Sequence, residues 1–275
     1  MADILVPFDF SKNAMIALDQ ALLITSANKK KLEVLHITND IAAKDYPRNW
    51  KYDGQSISII ENKLNELVEE RKSKLELEAG LKTSILVKEA ATISGGVISR
   101  MLQSGSKLLV MGTHGSTGIY DKVFGSNTAV LVNHSLFPIL VIPHTWKAVP
   151  IQQCMVLFKL QKLSAVAGSV KSWGKFFNSS VEAVHFTISR EAEGEYANKT
   201  AISNIPCRLI VNPVETPLAE DILVFSKKLK NTILLLLTRE KTFLEKLFQP
   251  NLTYNLSGKI SIPLLTVPLE GIKKH

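Results

Sequence analysis

Residues 112–129, GTHGSTGIYDKVFGSNTA, carry four glycines and a cluster of hydroxyl side chains directly after the apolar run Lys107–Met111. A loop of this kind between a strand and a helix can bind phosphate. Glycine admits left-handed backbone and removes side chains that block close approach. The helix that follows presents unpaired N–H groups at the positive end of its dipole. Here Gly125-Ser126-Asn127-Thr128 would open that helix, with the Ser126 and Thr128 hydroxyls as further donors. The stretch lacks the Gly-Lys-Ser/Thr ending of a P-loop. On these residues alone a second reading stands level with the first: Gly112, Gly115 and Gly118 shape a turn, and Ser126 is an ordinary N-cap.

Other reactive side chains are sparse. Asp9 either caps a helix beginning near Ser11 or touches a ligand. His114, between glycines, orients a phosphate or tunes binding with pH, or is a spacer. His36 and His185 read as satisfied core or rim residues. No set of His, Cys and carboxylates has metal-ligand spacing; a divalent ion, Mg or Mn, would ride on the phosphates of a bound nucleotide. No Walker lysine, arginine finger or base positioned for water is recognisable, so no catalytic residue is assigned.

The elements that must position this loop alternate. Ile4–Phe8 reads as a short buried strand, and Ser11 offers an N-cap to a helix with Met15, Leu18, Leu22 and Leu23 on one face. Leu32–Ile37 is a second strand. From Ser56 a long helix is predicted by Ile60, Leu64, Leu67, Val68 and Leu75, with Ser58 and Glu61 as a capping box at its start. A strand over 83–87, a helix over 96–103, the strand 107–111, a helix from Ser126 and the strand 138–142 complete five strands and four helices. That order implies a parallel sheet covered on both faces. The second half runs through a shorter version, with strands at 155–158, 184–187, 209–211, 233–237 and 262–267. Adding 125 lays Leu108-Leu109-Val110-Met111 over Ile233-Leu234-Leu235-Leu236, Pro138 over Pro263 and Pro143 over Pro268 without a gap. Coincidences at one offset argue for an internal duplication. Two domains are expected, 1–146 and 147–275.

The bulk numbers agree with such a protein and exclude others. At 275 residues and 45% hydrophobic content the chain is globular and long enough for two domains. The net charge of +8 lies mostly in the second half, where 17 Lys+Arg face 10 Asp+Glu, against 16 and 15 in residues 1–146. The lysines are scattered and bring no nucleic-acid signature, so a solvated basic face is the preferred reading and a nucleic-acid partner is disfavoured. No secretory leader and no membrane span are expected. Cys154 and Cys207 sit in apolar segments as free thiols, which suits a reducing cytoplasm.

Gly112-x2-Gly115-x9-Gly125-Ser126, after the fourth strand of a five-strand α/β unit, resembles the ATP-binding motif of the universal stress protein family. Ile4–Ser11, Leu35-His36-Ile37 and the closing Pro138–Pro143 are similar to the family as well, so the likeness covers residues 2–143. It implies two tandem doubly wound five-stranded parallel-sheet domains, adenine nucleotide alpha hydrolase-like, with strand order 3-2-1-4-5. It also implies where an adenine nucleotide would lie. The adenosine would sit near Pro7, Asp9 and Ile37, and the ribose and phosphates along Gly112, Thr113, His114, Gly115, Ser116 and Gly118. The terminal phosphates would rest on Gly125, Ser126, Asn127 and Thr128. Family domains pair through edge strands, so an internal pseudo-dimer or a homodimer is implied, with an unidentified protein partner.

The second domain is expected to be smaller and degenerate. At the same offset Gly112 becomes Leu237, Gly115 Glu240, Gly118 Phe243, Gly125 Pro250 and Ser126 Asn251, while the counterpart of Asp9 falls at about Leu160. Glu240 would repel phosphate and Pro250 has no N–H to offer it. In place of the long helix this domain has only the stretch 190–204. The leading expectation is a cytoplasmic ATP-binding stress-response protein, a nucleotide sensor with at most slow hydrolysis or autophosphorylation. Its rivals are an interaction scaffold that has lost the nucleotide, and an ATP-dependent nucleotidyl transferase or ligase.

Overall fold

The computed structural model describes residues 2–38, 54–78, 80–113, 126–134, 137–157, 163–187, 201–211, 218–238 and 261–268. The first half runs β1 (Ile4–Pro7), α1 (Lys12–Asn28), β2 (Leu32–Thr38), α2 (Gly54–Lys74), β3 (Thr83–Glu89), α3 (Ile93–Ser104), β4 (Leu108–Gly112), α4 (Ser126–His134) and β5 (Ile139–Ile142). The second half follows with β6 (Gln153–Leu157), α5 (Leu163–Phe177), β7 (Ser180–Thr187), β8 (Ala201–Ile202), β9 (Ile205–Val211), α6 (Leu218–Ser226), β10 (Thr232–Thr238) and β11 (Leu264–Pro268).

Each half is an α/β unit with a parallel sheet. The first has the order β3-β2-β1-β4-β5 and the second β9-β7-β6-β10-β11, the same order once the added edge strand β8 is set aside. β5 and β11 then pair antiparallel, Leu140 opposite Leu265, and join the two into one eleven-stranded sheet. Successive strand residues point to opposite faces, so buried strands read as continuous apolar runs. Ile4, Val6, Leu108 and Val110 face a core that takes in α1, α2 and α5. Leu5, Leu109 and Met111 face a second core with α3, α4 and α6. Both cores run through both halves.

The ladders carry the duplication residue by residue. Leu109 pairs with Ile139 in the first half, and Leu234 with Leu264 in the second, both 125 positions on. Ile4 lies between Leu32 and Leu108, as Cys154 lies between Val181 and Ile233. His36 pairs with Val87, and His185 with Leu209.

Two local expectations need correction. α2 starts at Gly54, so Ser58 and Glu61 lie within the helix and do not cap it. The Ser-x-x-Glu spacing also suits side chains one turn apart on a helix surface, and here the apolar positions Ile57 and Ile60 already pack on the core. The stretch 190–204 does not end as helix: β8 pairs antiparallel with β9 across Ser203-Asn204. Both turn residues are left-handed, φ 52° and 60°, the backbone that a two-residue hairpin with the sheet's twist requires. Ser and Asn adopt it without glycine, so the usual turn signal was missing.

The link between the halves is fastened by a residue without a motif. Gln20, fully buried on α1, donates from Nε2 to the Val149 carbonyl at 3.0 Å. Its Oε1 accepts from the Trp146 indole at 2.7 Å and from the Val149 N–H at 3.3 Å. Among the described residues no helix is long and apolar enough to cross a membrane.

Candidate functional site

The crevice lies where α/β sheets place ligands, beyond the carboxyl ends of the strands at the point where strand order reverses. In the first half that point is between β1 and β4. β1 ends at Pro7, and the Phe8 N–H continues the ladder to the Leu35 carbonyl at 2.8 Å. The chain then turns through Asp9-Phe10-Ser11 into α1. Ser11 is the N-cap and its hydroxyl accepts the Ala14 N–H at 3.1 Å. Asp9 Oδ1 accepts the Ser11 N–H at 3.0 Å, so the carboxylate braces the turn. Phe10 carries the bend at φ 61°, a conformation that costs a side-chain-bearing residue roughly 1–2 kcal/mol.

His36, half-buried near the end of β2, puts Nδ1 at 2.7 Å from the Phe8 carbonyl. A carbonyl only accepts, so Nδ1 carries the proton there. The histidine thus anchors the same turn from the neighbouring strand. The Ile37 side chain points the other way, into the core beneath α3, where a Cβ on Gly96 would meet it at 2.7 Å. Ile37 therefore has its main chain to offer at the strand end.

On the other wall, β4 ends at Gly112. A Cβ there would stand 2.9 Å from the carbonyl oxygen of Asn13 in the first turn of α1. Gly112 is thus a packing requirement: it lets α1 lie against β4. The Thr113 N–H extends the sheet to the Ile142 carbonyl at 3.1 Å. The buried Thr128 hydroxyl donates to the Gly112 carbonyl at 3.0 Å and clips the first turn of α4 to the strand end. Its proton is committed to that bond, so Thr128 positions the helix and offers no hydroxyl donor to an anion. The first turn of α4, residues 126–128, keeps the N–H groups that a helix start cannot pair internally, and it contains no acidic residue to offset the dipole.

Of the residues singled out from sequence, Pro7, Asp9, Gly112, Thr113, Ser126, Asn127 and Thr128 belong to the strand ends and helix start around this crevice, with Ile37 at the end of β2. His114, Gly115, Ser116, Gly118 and Gly125 lie outside the described residues. His36, read as a rim residue, and Phe10, not singled out, are the additions. The Phe8 carbonyl that His36 anchors, 28 positions away, could not be read from local pattern.

In the second half Leu237 stands in the place of Gly112, and Phe186 in the place of Ile37, with its ring edge-on to Phe225 of α6 at 5.7 Å. The ladder also moves the counterpart of Asp9. With Cys154 matching Ile4, position 159, a lysine, corresponds to Asp9 rather than Leu160. Residues 159, 240, 243, 250 and 251 lie outside the described residues.

A doubly wound α/β unit, repeated along the chain and joined to its copy through antiparallel edge strands in one sheet, is the class of protein that these features define. The family model described as "Universal stress protein family" matches residues 1–143. The chain belongs to the universal stress protein family. It is 28% identical over 152 residues to the universal stress protein MJ0577 of Methanocaldococcus jannaschii, a match covering 50% of this chain and 93% of that protein. The fold resembles a universal stress protein from Archaeoglobus fulgidus, with a TM-score of 0.64 at 13% identity, covering 96% of this chain and 97% of that one. A Pseudomonas aeruginosa protein of unknown function gives the same TM-score and identity, covering 96% of this chain and 92% of its own.

Proposed function

We propose that this chain is a cytoplasmic ATP-binding stress-response protein whose first half, residues 1–146, holds the nucleotide and whose second half, 147–275, is a degenerate partner. It acts as a nucleotide sensor rather than a turnover enzyme. The observation that carries this reading is the meeting of the β4 end with the first turn of α4 through the Thr128–Gly112 bond. The bond fixes a run of helix N–H groups at the reversal of strand order, beside the turn that Asp9 braces. The adenosine would lie between Pro7, Asp9 and the main chain of Ile37. The phosphates would follow Gly112, Thr113, His114, Gly115, Ser116 and Gly118 to Gly125, Ser126, Asn127 and the Thr128 N–H. A divalent ion would be held by the phosphates themselves. In the second half Leu237, Glu240 and Pro250 remove this provision.

The scaffold reading has one specific observation behind it. Gly112 is required by the approach of Asn13, with or without a ligand. Titration calorimetry of the full chain with Mg-ATP separates the two. Heat that saturates with one nucleotide per chain supports the sensor, and Gly125→Pro, which copies Pro250, should then reduce affinity at least a hundredfold by removing an N–H from the cradle. A wild-type chain that gives no heat at millimolar ATP, yet melts cooperatively, returns the protein to the scaffold class.

A further inference from the structure

The nucleotide reading leaves the residue between Asp9 and Ser11 without a task, although Phe10 is an unusual choice there. Its backbone is left-handed, φ 61°, a region where glycine fits freely and a bulky side chain is an outlier. Its side chain is 39% exposed. A strained backbone carrying a large apolar group into solvent gains little from the folded state alone, and such outliers gather at functional sites.

The ring is nevertheless held in place. It meets the Phe8 ring edge-on at a centroid distance of 5.3 Å and an interplanar angle of 75°, and the His36 ring at 5.3 Å and 66°. The Lys63 ammonium of α2 lies 5.3 Å from its centroid. His36 is itself fixed by its bond to the Phe8 carbonyl. Phe8 just beyond β1, His36 of β2 and Lys63 of α2, which lies over the ring, therefore orient an aromatic side chain in the turn that leaves β1. Phe10 follows Asp9, and its ring touches His36, which precedes Ile37. It thus bridges the two segments between which the adenosine is proposed to lie.

Resting on that reading, we infer that Phe10 is the stacking platform for the purine base, a specificity residue of the same site that selects nucleobase-bearing ligands over bare polyphosphate. An aromatic ring offers every base a π-face, and stacking on one is sequence-tolerant binding energy. A platform set before the ligand arrives loses little rotamer freedom on binding. The left-handed turn leaves the ring partly exposed beside His36 while Ser11 caps α1. Phe10 acts on the base and leaves the phosphate cradle around Gly112 and α4 unchanged.

The test titrates the full-length chain with Mg-ATP and with inorganic tripolyphosphate, for the wild type and for Phe10→Ala, Phe10→Leu and Phe10→Trp. Alanine and leucine should each weaken ATP binding by about ten- to a hundredfold, the range that removal of one base–aromatic stack produces. Tripolyphosphate affinity should stay within about twofold in all four, since a rim substitution away from the cradle leaves its contacts intact. Tryptophan should retain ATP, with indole emission quenched on saturation. Leucine keeps the apolar cover over Phe8, so a fold that depends on bulk survives there even if alanine melts early. A Phe10→Leu chain that binds ATP as the wild type does overturns the platform while leaving the nucleotide site standing. A wild type that binds neither ligand overturns both.

Discussion

The two halves share every ladder register that can be compared, and differ where a ligand would sit. Position 112 is glycine in one and its counterpart 237 is leucine in the other, on strands paired identically with their neighbours. In the first half α1 packs on β4 as well as on β1 and β2; in the second α5 packs on β6 and β7. The contrast teaches that a duplicated sheet keeps its register through hydrophobic pattern alone. The crevice depends on single side chains at the strand ends. Leu237, partly buried, packs on the core at the position where the first half has Gly112.

The largest effect should come from a contact in the first half that the described residues of the second half do not repeat. Asp19 of α1 is held by the Arg71 guanidinium of α2, with Nε donating to Oδ1 at 2.7 Å and a second bond from Nη2 to Oδ2, both side chains mostly buried. The counterpart of Asp19 is Ser169, reached by the 150-residue offset that relates Ile4 to Cys154. Hydrogen bonding to Asp19 raises the arginine's pKa despite its desolvation, so the guanidinium stays charged. Arg71→Ala leaves a carboxylate with no partner for its charge and should cost about 3 kcal/mol, the low end for breaking a buried pair. Urea denaturation followed by far-UV circular dichroism reads this, and a loss under about 1 kcal/mol would show that the helix pair does not depend on the bridge.

Next comes the glycine itself. Gly112→Ala forces Asn13 or β4 to move and should destabilise by roughly 1–3 kcal/mol even without nucleotide, as overpacking does. An unchanged urea midpoint would mean that α1 yields easily, and that the glycine matters to the ligand alone.

A smaller, pH-dependent difference sits at the head of the matched strands. Cys154, fully buried where the first half has Ile4, has its thiol pushed up to about 12 by burial, from an ordinary 9.0. The folded state therefore holds the neutral thiol while the unfolded chain ionises. Its stabilising share is intact below pH 9 and is lost as pH rises from there toward 12. The loss should be roughly 1 kcal/mol at pH 10. Cys154→Val, which like Ile4 has no proton to lose, should flatten that part of the pH–stability profile; an identical slope in both chains would place the titration elsewhere.

Much of this architecture was legible in the chain. The strands of the first half follow from apolar runs between polar turns, Ser11 from its position before the first helical apolar residue, and the repeat from a single offset. Less could be read of the site. Asp9 braces the turn ahead of the Ser11 cap, and Thr128 spends its proton on Gly112. The Ser203-Asn204 hairpin escaped because its left-handed turn uses no glycine. Gln20 looks like any polar residue on a helix until Trp146 and Val149, 126 and 129 positions away, close on it.

By itself, the amino-acid order determined the alternation of strand and helix, the pairing of one half with the other as copies, and which copy keeps its glycines. These are matters of periodicity and residue type, which act over a few neighbours. The resemblance implied pairing through edge strands; tertiary structure alone decided that β5 and β11 pair antiparallel with Leu140 opposite Leu265, that Gly112 makes way for Asn13, and that Phe10 rests among Phe8, His36 and Lys63. Each of those depends on segments brought together by burial of the two cores, and no local pattern records the distance between them.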